Sequence, residues 1–129
     1  MGGRMEKRIL VAGCRFYENY QEAEAYIDFC LQNINKAAAL IFLSGGCCGA
    51  DRLGERYAEN HGYAIERYPA DWERYGKAAG PIRNQQMVDA CDYVICFWDG
   101  KSRGTKSTID FACTAKKPIR IKRIEPTQK

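Results

Sequence analysis

Three apolar runs, Ile9-Leu10-Val11-Ala12, Leu40-Ile41-Phe42-Leu43 and Tyr93-Val94-Ile95-Cys96-Phe97, are short and almost unbroken by polar residues. Continuous runs of this length suit strands buried on both faces, which arise where helices cover both sides of a parallel sheet. Two weaker runs, Tyr63 to Tyr68 and Pro118 to Ile121, bring the candidate strands to five. Between the first two strands, Ala23, Tyr26, Ile27, Cys30, Leu31 and Ile34 recur at three- and four-residue steps and give a helix with one apolar stripe. Ala50, Leu53, Tyr57 and Ala58 repeat the pattern after the second strand, and Thr105, Thr108, Ile109, Ala112 and Cys113 after the fourth. Alternating strands and helices predict an α/β, Rossmann-like three-layer sandwich with a five-stranded, mainly parallel sheet in the order 3-2-1-4-5. Ligands of such sheets sit beyond the carboxyl ends of the strands where the order reverses, here between strands 1 and 4. Four loops converge there: 13–17, 44–51, 69–83 and 98–105.

With 129 residues, 46% of them apolar, the chain supports one core and reads as a single domain over 1–129, its core spanning about 8–122 before a short basic tail. It shows no internal repeat and no apolar stretch of membrane-spanning length. Met1-Gly2-Gly3-Arg4 lacks the apolar segment of a secretion signal, and Glu6 breaks the myristoylation pattern, so a soluble cytoplasmic protein without a membrane partner is expected. Seven cysteines, with no C-x-x-C pair and one histidine, His61, fit neither a zinc site nor a disulfide scaffold. They are read as reduced, mostly buried thiols, and no metal or cofactor is expected. The net charge is +4, with Lys116, Lys117, Arg120, Lys122, Arg123 and Lys129 crowded at the C-terminal end. A solvated helix end and tail explains these charges better than a nucleic-acid surface, since no aromatic or motif context accompanies them.

The chemistry concentrates at Ser44-Gly45-Gly46-Cys47-Cys48-Gly49-Ala50-Asp51-Arg52, where the second strand empties through glycines into a helix. Such a junction presents backbone N–H groups and a positive dipole end to phosphate. A dinucleotide G-x-G-x-x-G would follow the first strand, which ends instead in Gly13-Cys14-Arg15-Phe16-Tyr17. A Walker A loop ending at Gly100-Lys101-Ser102 would need glycine where Ile95 stands. Neither NAD(P) nor P-loop ATPase chemistry is supported. Thiols beside a helix start, as Cys47 and Cys48 are, can become reactive. With no base nearby in sequence, small-residue packing is the better reading.

The segment from Pro69 to Arg83 is long for a strand-to-helix connection, as binding lids are. Pro81 suits a first helical turn and puts Arg83 and Asn84 at that helix's start, with Met87 on the face of Arg83. Arg83 there grips phosphate bidentately, or it is a surface arginine pairing with Asp89 or Glu73. Trp72 and Tyr75 stack on a base or plug the top of the core; Asp71 receives sugar hydroxyls or ties down its own loop's amides. Asp99-Gly100-Lys101-Ser102-Arg103-Gly104-Thr105 opens the last major helix with glycine and a capping hydroxyl, a second anion site or a plain cap.

Taken in order, Gly13-x-Arg15, Gly45-Gly46-x-x-Gly49-Ala50-Asp51-Arg52, Ala70-Asp71-Trp72, Ala79-Gly80-Pro81-Ile82-Arg83-Asn84 and Gly104-Thr105 resemble the YspA and YpsA-related branch of the SLOG superfamily. The resemblance runs from about Arg8 to Ile121. It implies a ligand derived from a nucleotide, ADP-ribose-like ligands included, and sites that often lie near dimer interfaces, hence a homo-oligomer. The superfamily also holds the Lonely Guy phosphoribohydrolases and the DNA-processing protein DprA. Arg83 and Met87 are similar to the arginine and methionine of the hydrolase Arg-Lys-x-x-Met segment, and Gly104-Thr105 to the Gly-Thr of Pro-Gly-Gly-x-Gly-Thr-x-x-Glu. The glutamate of that motif falls on Thr108, which cannot stabilise an oxocarbenium-like sugar or activate water. Asp110 is rotated toward the solvent face. The expected function is binding of a nucleotide, phosphoribosyl or ADP-ribose-type small molecule as a sensor, carrier or sequestering protein. A nucleotide N-glycosidic or phosphoribosyl hydrolase using Asp51, Asp71 or another carboxylate in place of that glutamate is the alternative, and a nucleic-acid module ranks third. Gly45, Gly46, Gly49 and Thr105 would contact phosphate, Arg15 and Arg83 would neutralise it, and Asp51, Asp71, Trp72 and Asn84 would read sugar or base. Gly13, Ser44, Ala50, Arg52, Met87, Gly104 and Thr108 complete the candidate ligand-binding set.

Overall fold

The run Ile9-Leu10-Val11-Ala12 forms the middle of the central strand, and all four side chains are buried. Ile9 and Val11 join one apolar cluster while Leu10 and Ala12 join another, because successive strand residues face opposite sides. The computed structural model describes residues 5–34 and 37–125; the Met1-Gly2-Gly3-Arg4 start and Lys129 lie outside them. The elements are β1 (Glu6–Gly13), α1 (Tyr20–Leu31), β2 (Ala39–Ser44), α2 (Ala50–His61), β3 (Ala64–Arg67), α3 (Trp72–Tyr75), α4 (Ala79–Ala90), β4 (Tyr93–Trp98), α5 (Arg103–Thr114) and β5 (Ile119–Arg123).

The sheet order is β3-β2-β1-β4-β5, as the sequence predicts, and every pairing is parallel. Ile9 stands level with Phe42 on one side and Tyr93 on the other, so β1 is the strand at which the order reverses. Ala23 and Ile27 of α1 and Leu53, Tyr57 and Ala58 of α2 cover one face. Met87 and Val88 of α4 and Ile109 and Ala112 of α5 cover the other. Truncating a side chain as enclosed as Phe42, which is 1% exposed, costs about 3–5 kcal/mol in a core of this kind.

The third strand is Ala64–Arg67 instead of Tyr63 to Tyr68, and the fifth is shifted to Ile119–Arg123. Ile34 lies past the end of α1, although it still packs on that helix's core. The expected loop from Pro69 to Arg83 is mostly helical: α3, a 3₁₀ turn at Gly76–Ala78, and α4, which starts at Ala79 with Pro81 in its first turn. The thiols are free but not mostly buried: Cys14, Cys91 and Cys96 are enclosed, while Cys30, Cys47, Cys48 and Cys113 lie in final helical turns or in the β2–α2 turn, where no layer seals them. Of the basic cluster, Lys117 is tied down, its ammonium donating to the Cys91 carbonyl at 2.7 Å. No helix among the described residues is long and apolar enough to cross a membrane.

Candidate functional site

A cleft of about 400 Å³ opens at the carboxyl ends of the strands, lined from all four converging segments by Gly13 and Arg15, by Cys47 and Asp51, by Arg83, Asn84 and Met87, and by Asp99, Ser102, Gly104, Thr105 and Thr108. Its β1 wall forms where the chain leaves the sheet and the Cys14 amide bonds to the Phe97 carbonyl at 3.0 Å.

The β2–α2 turn is folded tightly onto that wall. The Ala50 amide donates to the Cys14 carbonyl at 3.1 Å. Gly49 has φ +76°, and a side chain there would run into the Cys14 and Arg15 backbone, so glycine is required on both counts. Ser44, 2% exposed, accepts from the Gly46 amide at 3.0 Å and donates to Glu55 at 2.6 Å. The Cys47 amide donates to Asp51 Oδ2 at 3.2 Å. The Gly46, Cys47 and Ala50 amides therefore already have protein acceptors. Gly45 is hemmed in, since a Cβ would stand 2.8 Å from Arg83 Nη1 and 2.9 Å from Asp51 Oδ2.

Arg83 is 7% exposed and makes no carboxylate ion pair among the described residues, which removes the surface pairing with Asp89 or Glu73. One helical turn into α4, it points back under the β2–α2 turn. Its Nη1 donates to the Gly45 carbonyl at 2.7 Å and to the Tyr68 carbonyl at 3.4 Å. Its Nε donates to Asn84 Oδ1 at 2.9 Å. Among the described residues Nη2 has only the Cys47 sulfur, at 3.9 Å, which leaves it as the donor available toward the cleft. Arg15 is exposed on the cleft wall and makes no ion pair among the described residues.

Across the cleft, Asp99 Oδ1 accepts from the Lys101 and Ser102 amides at 2.8 and 2.9 Å. Desolvation pushes this carboxyl up, but those two amides outweigh it and hold it below the ordinary carboxylate range. Burial raises the Cys14 thiol, which therefore stays protonated at neutral pH. α5 begins at Arg103 with Ser102 as its N-cap, and no side chain caps it. Thr105 is thus not the capping residue; it is buried in the first turn, its hydroxyl 3.3 Å from that of Ser102. Thr108, 2% exposed, donates to the Gly104 carbonyl at 3.4 Å. Asp110 is on the solvent side, where its carboxylate pairs with Lys106.

Of the candidate residues, Gly13, Arg15, Asp51, Arg83, Asn84, Met87, Gly104, Thr105 and Thr108 come together in the cleft. Ser44, Gly45, Gly46, Gly49 and Ala50 form the turn behind it and do not line it, and Arg52 faces solvent. Asp71 caps α3, its Oδ1 accepting the Arg74 amide at 3.1 Å, so it ties down its own segment. Trp72 and Tyr75 are 57% and 36% exposed and plug no core; neither they nor Asp71 line the cleft. The structure adds Ala12, Cys14, Phe16, Cys47, Asp99 and Ser102 to the lining. Asp99 and Ser102 were within reach of the sequence, because they follow β4 directly at the strand's carboxyl end. Among the described residues no cluster of His, Cys, Asp and Glu is placed to hold a metal ion.

The model of a family described as the YspA, cpYpsA-related SLOG family matches residues 7–75. The Gene 61 protein of Mycobacterium phage D29 is 31% identical over 120 residues, which cover 88% of this chain and 94% of that protein. Among solved structures, the X-ray structure of DNA processing protein A (DprA) from Streptococcus pneumoniae superposes with a TM-score of 0.65 at 19% identity. That match covers 91% of this chain but 50% of the other, so the chain spans about half the length of that protein and shares its fold.

Proposed function

The chain belongs to the YspA, cpYpsA-related SLOG family, and on that footing we propose that its cleft binds a nucleotide or phosphoribosyl-type small molecule, as a sensor, carrier or sequestering protein. The observation that carries this reading is the meeting of the first turns of α2 and α5, at Asp51 and at Gly104 and Thr105, neither helix having a side-chain cap, around one cleft that Arg15 and Arg83 also line. Uncapped first-turn amides and guanidinium groups both favour phosphate oxygens. The cleft's volume is within the range of small-molecule sites. Thr108 supports holding over cutting, because a hydroxyl donating to its own helix supplies no carboxylate at that place.

Mass spectrometry of small molecules released from the purified protein on denaturation tests the reading, with and without prior incubation in a mixture of nucleoside monophosphates, ADP-ribose and cyclic nucleotides. A stoichiometric phosphorylated ligand, recovered unchanged after long incubation, is the expected result. No retained phosphorylated compound under either condition overturns it. One observation favours a hydrolase instead: the buried carboxylate of Asp51 lines the cleft. Free base or sugar phosphate accumulating with the wild type and not with Asp51→Asn would make that the correct reading.

A further inference from the structure

Asp51 is 8% exposed and sits in the first turn of α2. Its Oδ2 accepts from the Cys47 amide, and Oδ1 has no hydrogen-bond partner among the described residues. No side-chain nitrogen or oxygen sealed from solvent lacks a partner among those residues, so Oδ1 keeps access to solvent, and Asp51 lines the cleft. The groups facing it are Arg83 from α4, Arg15 from the turn after β1, Glu55 one turn along α2, Cys47 before the helix and Cys96 from β4. Neither arginine forms an ion pair with it. Arg83 Nη1 and Nε are committed to the Gly45 and Tyr68 carbonyls and to Asn84, and Glu55 to Ser44 and Arg67. A phosphate entering beside Arg15 and Arg83 would therefore draw on the same two cations as an enclosed carboxylate that no ion pair holds. Two like charges in a poorly solvated site repel, and a proton taken by one relieves the repulsion, after which the carboxyl donates to the phosphate.

Resting on the function proposed above, we infer that the cleft takes up its phosphorylated ligand together with one proton, held between Asp51 Oδ1 and a ligand oxygen, which makes Asp51 the residue that sets the ionic form the site accepts. Burial already holds this carboxyl up at about 6 in the free protein, against the downward pull of the Cys47 amide, Arg83 and Arg15. Near neutrality the free protein is thus mostly ionised at Asp51 and close to its titration. The complex binds the proton more tightly than the free protein, so affinity falls as pH rises above that value, by up to about tenfold per pH unit, and levels off below it.

ADP-ribose is the suitable probe because its pyrophosphate has no proton that titrates near neutrality. Calorimetric titration of the wild type near pH 7.5, in two buffers of different ionisation enthalpy, reads the proton count directly. Uptake approaching one proton is expected, with the pH dependence above, and Asp51→Asn should exchange none and bind with a flat pH profile. The carboxyl ¹³C titration of Asp51 in the wild type, with and without ADP-ribose, assigns the proton even if the variant folds poorly. Binding without proton uptake, or uptake with an unmoved Asp51 titration, overturns the inference and leaves the proposed function standing. No binding of ADP-ribose or of the other nucleotides at any pH overturns both.

Discussion

α1 and α3 begin with side chains that close their first turns, whereas α2 and α5, whose first turns reach the cleft, do not; α4 also lacks such a cap, but its start stands off the cleft lining. Asn19 accepts the Glu22 amide at 3.1 Å and Asp71 the Arg74 amide at 3.1 Å. Gly49 and Ser102 precede α2 and α5 and cap nothing with a side chain. A helix start leaves several N–H groups without intrahelical acceptors. At α1 and α3 a side chain satisfies one of them; in the first turn of α2 the Ala50 amide is held by the Cys14 carbonyl instead, and at α5 no cap side chain takes one. The uncapped start of α2 is secured from the side instead, by Arg83 beneath Gly45 and by the Ala50–Cys14 bond.

The largest expected effect breaks that lateral support. Arg83→Ala should cost roughly 3 kcal/mol in urea unfolding, because the Gly45 and Tyr68 carbonyls lose a buried charged donor. Arg83→Lys should recover little of it, since one ammonium cannot reproduce the fork. Next is the charge in the uncapped first turn. Burial pushes the Asp51 carboxyl of the native state up to about 6, from the 3.8 of an ordinary aspartate. The native state therefore binds the proton more tightly than the unfolded chain, and this group's contribution to stability declines as pH rises from about 4 through 6. Asp51→Asn should stabilise the unliganded protein by roughly 2–3 kcal/mol at pH 8 and by almost nothing at pH 4. Thermal denaturation at the two pH values checks this.

Exchanging caps sharpens the comparison at a smaller scale. Asn19→Ala should lower stability by about 1 kcal/mol and leave ligand affinity unchanged. Ser102→Asp should do the reverse, adding about 0.5 kcal/mol through a capped, charge-complemented α5 while weakening binding of a phosphorylated ligand. Smallest is Trp72→Ala on the capped α3. With the ring 57% exposed, stability should stay within about 0.5 kcal/mol, and ligand affinity should hold if the cleft ends where its lining ends.

The strand order was legible because each central strand is a continuous apolar run that only a doubly covered parallel sheet buries. The segment from Pro69 to Ala78 was not. α3 buries none of its residues, so it has no apolar stripe to detect, and Pro69 and Gly76 flank it, with Gly80 and Pro81 soon after, as in a loop. The inward stripe of α4 is Ala79, Arg83 and Met87, and an arginine at its centre hides the period. At the cleft, sequence brought Arg15, Arg83 and Thr105 to one place through the carboxyl-end rule. It could not tell which amides of the glycine turn would be spent on Ser44, Asp51 and Cys14, because those bonds depend on how the turn folds back against the end of β1.

Calorimetric titration of ADP-ribose, nucleoside monophosphates and cyclic nucleotides into the wild type, Arg15→Ala and Asn19→Ala tests the central claim most directly. At least one ligand should bind the wild type at a single saturable site, about tenfold or more weakly after loss of the exposed Arg15 and unchanged after loss of the α1 cap. Folded wild type that binds none of them, or binding indifferent to Arg15→Ala, would contradict the assignment of this cleft as the phosphate-binding site.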